Sequence, residues 1–299
     1  MSTSTAPLVG ERPAVWRAYL SLMKPRVISL LLVTALAGVL IASDGVPSLT
    51  IVLVTMLGGF LSAGGAHAIN CYLDRDIDLL MSRTNERAIP SGEVTPEKAL
   101  IFGIVLTVVS FLMFAILANM LSAVISLVAS LYYIFVYTWW LKRSTPSNIV
   151  IGGAAGALPP VIGWAAARGD VSLLPIWLFV IIFFWTPPHF WALSLLIRKE
   201  YARARVPMLP IVRGDEETRR QIVWYSLLLV AITILLYPFG FMGLIYLVSA
   251  VLLGGIFIYY AIRLRIGATL FEARQLFLYS LGYLALLFVA MVIDRRIPL

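Results

Sequence analysis

Nine apolar stretches, each close to the length that crosses a bilayer, constrain this chain more than any other feature. They lie near residues 27–43, 49–70, 99–118, 120–140, 148–167, 172–197, 221–238, 241–262 and 276–293. A spanning helix needs about 20 mostly apolar residues, and its backbone polar groups must pair within the segment because hydrocarbon offers them no water. Composition agrees, with 61% of the 299 residues hydrophobic, 13% charged and a mean hydropathy of +0.95. These values exclude an ordinary soluble domain and predict an all-α integral membrane protein of nine transmembrane helices. Residues 1–25 read as a cytoplasmic N-terminal segment and 26–295 as a single transmembrane domain. Adjacent ends are close in places: only Asn119 and its neighbours separate the third and fourth runs, and Tyr237-Pro238-Phe239-Gly240 turns the chain between the seventh and eighth.

The charged residues then set an orientation. Twenty of the 23 Lys and Arg fall in the N-terminal segment and in alternate connections, leaving Arg168, Arg295 and Arg296 for the other side. The positive-inside rule therefore predicts a cytoplasmic N terminus and an outside C terminus. The net charge of +8 is concentrated on one face, where it would meet anionic membrane lipid or a phosphorylated substrate. No nucleic-acid partner is expected. Residues 1–25 lack the continuous apolar region of a secretory signal. The single cysteine, Cys71, excludes an intrachain disulfide or a Cys-cluster metal site and is expected to pack as a small hydrophobe.

Two cytoplasmic connections, 71–98 and 198–220, hold most of the polar material, and each follows an even-numbered helix. This spacing suggests two weakly related four-helix halves. In the first connection Thr95-Pro96-Glu97 predicts a helix start, with an N-cap, a proline at the first position and an acid suited to the dipole. The glycines at 58–59, 64–65 and 152–153 predict close helix contacts.

The chemistry concentrates in Asn70-Cys71-Tyr72-Leu73-Asp74-Arg75-Asp76-Ile77-Asp78. If the second helix continues through it, Asn70, Asp74 and Asp78 project from one face about 6 Å apart in rise, and Asp76 points nearly the opposite way. An amide oxygen and two carboxylates suit a hard cation such as Mg²⁺, which commonly bridges to substrate phosphates. Arg75, Arg83, Arg87, Lys142, Arg143, Lys199 and Arg203 could balance a diphosphate on that metal. At a membrane surface this implies a lipid-like diphosphate whose head group leaves. The plainer reading is a solvated interfacial segment held by Asp–Arg pairs, but acids at a membrane edge are functional by default.

The string Asn70–Asp78, the following Arg83-Thr84-Asn85-Glu86-Arg87, and Thr186-Pro187-Pro188-His189-Phe190 with Pro207-Met208-Leu209-Pro210 resemble the UbiA-type intramembrane prenyltransferases, and among them the heme-farnesylating branch. The resemblance covers about residues 20–295. It implies a UbiA-type bundle in a bacterial plasma membrane, with the active site toward the cytoplasm. It also implies transfer of farnesyl from farnesyl diphosphate to a vinyl group of heme B with Mg²⁺, and a heme-oxidising enzyme as a candidate partner. Asn70, Asp74 and Asp78 would carry the metal, assisted by Glu200.

Two departures matter. Ala88 stands where the wider family commonly has proline, and the second Asp-x-x-x-Asp column of many aromatic prenyltransferases is reduced to Glu200. His189 lies about 12 Å below the cytoplasmic end of the sixth helix, after two prolines expected to kink it. It is a candidate heme contact or a hydrogen-bonded support of that kink. His67, one turn before Asn70, is a candidate heme contact or a support of the metal column. Rival readings are prenyl transfer to a quinone precursor and a cation-coupled transporter.

Overall fold

The computed structural model describes residues 15–297. Among these, nine helices are long and apolar enough to span a membrane: α2 (Pro25–Ala42), α3 (Leu49–Leu73), α5 (Pro96–Leu117), α6 (Met120–Ser144), α7 (Asn148–Arg168), α8 (Leu173–Leu196), α11 (Gly214–Leu235), α12 (Leu244–Gly267) and α13 (Leu270–Arg296). Shorter helices α1 (Val15–Met23), α4 (Arg75–Leu80), α9 (Arg198–Arg203) and α10 (Leu209–Val212) lie between or before them. Each spanning helix packs on the next in sequence and α13 returns to α2, so the spans close into a ring.

The two sides of the ring are built differently. The largest core cluster joins α8, α11, α12 and α13 around fully buried Tyr246, Phe257, Tyr283 and Phe288. Aromatic side chains of this size dominate packing energetics, which makes that half a rigid wall. The opposite half depends on small residues. A Cβ built at Gly65 of α3 would lie 2.7 Å from the Gly103 carbonyl oxygen of α5, and one at Gly103 would lie 2.8 Å from that of Gly65. The two backbones therefore touch, as the small-residue spacing predicts. Gly152 of α7 likewise gives up its side chain to the ring of Tyr137.

Local signals are honoured at the helix ends. Thr95 accepts from the Lys98 amide and caps α5, and Asn119 accepts from the Ser122 amide and caps α6. The helix α1 lies within the segment expected to precede the domain and packs on the bundle. Its Ala18 and Leu22 share a cluster with Cys71, Ala88 and Val94, so it and the first connection cover the C-terminal end of α3 together. The sixth span, α8, remains helical through Pro187 and Pro188. The two missing amides free the carbonyls of Phe183 and Phe184 from their i+4 bonds without breaking the helix.

The largest departure from the sequence reading lies in α6. Residues Tyr132–Leu141 form a π-helix of ten residues. Such stretches are rare and are found mostly at functional sites.

Candidate active site

The second span ends as α3 at Leu73, makes a turn at Asp74 and resumes as α4, and the Asp78 amide still donates to the Asp74 carbonyl at 2.8 Å. This near-continuous path leaves Asn70, Asp74 and Asp78 at 3%, 1% and 2% exposure, while the Asp76 side chain is 62% exposed. The expected division of the faces therefore holds even with a turn at Asp74.

Cations from three other parts of the chain converge on the column. Lys24 Nζ donates to Asn70 Oδ1 at 2.7 Å. Lys142 pairs with Asp74, and Arg87 Nη1 reaches both Asp78 oxygens at 2.8 Å. Arg143 grips Asp76 with both terminal nitrogens at 2.7 Å and donates to the Leu73 carbonyl at 2.8 Å. That grip lowers the Asp76 pKa to about 2. Burial opposes the charged form of Arg87, but Asp78 outweighs it and raises the pKa. Burial lowers that of Lys24, and the neighbouring cations Arg87 and Lys142 add to the effect. Lys24 also adopts a left-handed backbone, φ 56°, at the α1–α2 junction. A non-glycine residue there carries strain of roughly 1–3 kcal/mol, a feature that clusters at ligand clamps.

The π-helix explains how α6 meets α3. Tyr133 pairs with His67, Thr138 with Asn70 and Lys142 with Asp74. From the first pair to the last, α3 advances seven residues and α6 nine. An α-helix completes two turns in about seven residues, whereas the wider i→i+5 winding takes more per turn. The π-helix is what puts all three partners on the facing side. Asn70 Nδ2 donates to Asp74 Oδ2 at 2.7 Å and to Thr138 Oγ1 at 3.1 Å, which directs Oδ1 away from both.

The other candidate residues are distributed less evenly. Glu200 of α9 accepts from the Ser82 amide at 2.7 Å and the Ser82 hydroxyl at 2.8 Å, tying the second connection to the first. These bonds lower its pKa. Arg203 lies 3.8 Å from Glu200, while Arg83 and Lys199 are exposed beside it. Arg75 turns outward, donating to the Tyr72 carbonyl and lying over the Tyr72 ring at 4.6 Å. His67 Nε2 is buried without a partner among the described residues. His189 Nδ1 sits 2.7 Å from Ser280 Oγ of α13. Arg143, expected among the cations of the diphosphate, is instead committed to Asp76. Lys24, Thr138 and Ser82 are not site residues the sequence points to: Lys24 reads there only as a topology signal, and Thr138 sits in an apolar, aromatic run that offers no cue.

The donor set fits a hard cation. Asp74 Oδ1 is buried with no hydrogen-bond partner, although it belongs to one of the least exposed carboxylates. Together with Asp78 and the Asn70 amide it provides only oxygen ligands, the type that suits Mg²⁺.

The UbiA prenyltransferase family model matches residues 31–292. The chain belongs to that family. A Roseiflexus protein named protoheme IX farnesyltransferase is 53% identical over 293 residues, 98% of this chain and 55% of its own length. One of the same name from Gloeobacter violaceus is 52% identical over 287 residues, 96% of this chain and 94% of its own. The chain thus spans about half the length of the first relative and nearly all of the second. A solved UbiA homolog from Archaeoglobus fulgidus, bound to DMAPP and Mg²⁺, superposes with a TM-score of 0.71 at 18% identity, covering 94% of this chain and 99% of that one. The ring of nine spans is the fold of this UbiA family member, and the polar column lies at one end of it.

Proposed function

We propose that this UbiA family member transfers a farnesyl group from farnesyl diphosphate to a vinyl group of heme B, releasing diphosphate and giving heme O. The observation that carries the reading is the half-identity, across nearly the whole chain, to proteins named for this activity. A buried oxygen column ringed by cations supports the diphosphate end of it.

Asn70, Asp74 and Asp78 would hold Mg²⁺, which when bound stabilises the negative charge that develops on the departing diphosphate. Thr138 and the Asp74 carboxylate fix the Asn70 amide with its oxygen toward Lys24, which would yield that oxygen as it turns to the diphosphate. Lys24, Lys142 and Arg87, which neutralise the column, are placed to turn their charge toward a diphosphate as it binds. Arg83, Lys199 and Arg203 extend the basic rim around Glu200, which keeps the two connections together. Burial of the column limits water near the allylic C1–O bond as it breaks and its electron pair leaves with diphosphate. The vinyl carbon then bonds to C1, and water adds to the neighbouring carbon with loss of a proton, forming the hydroxyethylfarnesyl group. The 20-to-3 distribution of Lys and Arg supports a site facing the cytoplasm of a bacterial plasma membrane, from which a heme-oxidising enzyme would receive the product.

The test incubates membranes containing the protein with heme B, farnesyl diphosphate and Mg²⁺, then extracts and weighs the hemes. A heme heavier by one farnesyl group and one hydroxyl group is expected, and chelation of Mg²⁺ should prevent it. Unchanged heme together with a prenylated aromatic acid would replace the heme reading with the quinone-precursor one.

A further inference from the structure

One polar cluster within the membrane has no part in the diphosphate site. It lies where α8 meets α13 and consists of Trp185, His189, Phe277 and Ser280. Trp185 and His189 are four residues apart and share a face of α8. Both engage one residue across the interface: Trp185 Nε1 donates to the Ser280 carbonyl at 2.8 Å, and His189 Nδ1 lies 2.7 Å from the Ser280 hydroxyl. The imidazole also stacks with Trp185 at 4.3 Å and with Phe277 at 4.8 Å. One imidazole face accommodates one stacked ring, so these neighbours take opposite faces and clamp it.

The hydrogen bonds decide the tautomer. Ser280 Oγ donates its single proton to the Phe277 carbonyl at 2.7 Å. With that proton committed to Phe277, the hydroxyl accepts from His189, which assigns the imidazole proton to Nδ1. The one hydrogen bond of the ring among the described residues is made at Nδ1, which leaves Nε2 with an in-plane lone pair. It can accept a proton or bind a metal. The ionised propionates of a heme and the oxygens of a diphosphate are acceptors, so neither suits such an edge. The iron does, since imidazole with its other nitrogen donating is the usual metal-binding form.

We propose that His189 ligates the iron of the bound heme through Nε2, and that Ser280 is the positioning residue that imposes the tautomer this requires. The proposal rests on heme being the acceptor. It also divides the two histidines, with His189 on the macrocycle and His67 beside the metal column.

Heme B is titrated into purified wild type, His189→Ala and Ser280→Ala, and the ferrous complexes are examined by resonance Raman spectroscopy. Wild type should show an iron–histidine stretch that His189→Ala lacks and added imidazole restores. Ser280→Ala should keep the band at lower frequency, because the lost Nδ1 hydrogen bond makes the ring a weaker donor, with heme affinity down about tenfold. Farnesyl diphosphate affinity within a few fold of wild type in both variants would show that the bundle is intact. An unchanged band in His189→Ala overturns the ligation. An unchanged frequency and affinity in Ser280→Ala overturns the positioning role. Wild type that binds no heme overturns instead the choice of acceptor.

Discussion

The C-terminal ends of α3 and α8 each lead into a polar connection and use their carboxylates in opposite ways. At α3, Asp74 and Asp78 are almost fully buried, and their counter-charges come from α6 and the first connection. Beyond α8, Glu200 is partly exposed, and both its oxygens are taken up by Ser82. Burial makes the difference. An unpaired carboxylate in a low-dielectric site costs several kcal/mol, so the α3 acids require cations there, whether side chains or a metal. Glu200 faces water and is free to act as a clasp between connections.

The contrast is broken most directly by neutralising the buried acids. Asp74→Asn and Asp78→Asn should each lower product formation by at least about 100-fold, because an amide weakens Mg²⁺ coordination at little change in volume. Near wild-type turnover of either variant at limiting Mg²⁺ would end the metal-column reading. Lys24→Met should raise the farnesyl diphosphate KM by about tenfold, the order expected for loss of one charge-assisted contact; an unchanged KM with reduced turnover would assign Lys24 to the fold alone. Thr138→Val, which removes one acceptor from the Asn70 amide, should weaken apparent Mg²⁺ affinity about fivefold, as for a hydrogen bond worth about 1 kcal/mol. If Mg²⁺ dependence stays fixed, the π-helical register is not what orients Asn70.

At the other helix end the effects should be smaller. Glu200→Gln is expected to reduce turnover only a few fold while making the 82–95 connection easier to cleave by protease. A loss as large as that of Asp74→Asn would make Glu200 a metal ligand. Asp76→Asn should have the least effect. Because its folded pKa is depressed, the tie to Arg143 is complete above the ordinary carboxylate pKa and is lost as pH falls toward about 2. Turnover near neutral pH reports only the tie, and equal loss in Asp74, Asp76 and Asp78 variants would mean that the column does not have two faces.

Much of this arrangement was legible in the chain itself. The nine spans follow from apolar length, and the separation of Asp74 and Asp78 from Asp76 follows from a 3.6-residue period that survives the turn at Asp74. The caps at Thr95 and Asn119, and the close approach at Gly65, could be read from side-chain chemistry. Pro187 and Pro188 remove backbone hydrogen bonds with certainty, but whether the helix continues past them depends on its neighbours. The dense α8–α13 interface around Trp185 and Ser280 holds this one in helical form.

What the sequence determined by itself was therefore periodic or local: which segments are apolar enough to span a membrane, which end of α3 bears the acids, and which residues stand on one face. The tertiary structure alone decided partnership. No spacing rule links Lys24 to Asn70 across 46 residues or His189 to Ser280 across 91. Nor does composition mark Tyr132–Leu141 as a π-helix, because that winding is unfavourable alone and is held by the polar pairs it makes with α3. Burial then made the row of acids dependent on the cations of Lys142 and Arg87, since only the folded bundle removes the water that would otherwise solvate them.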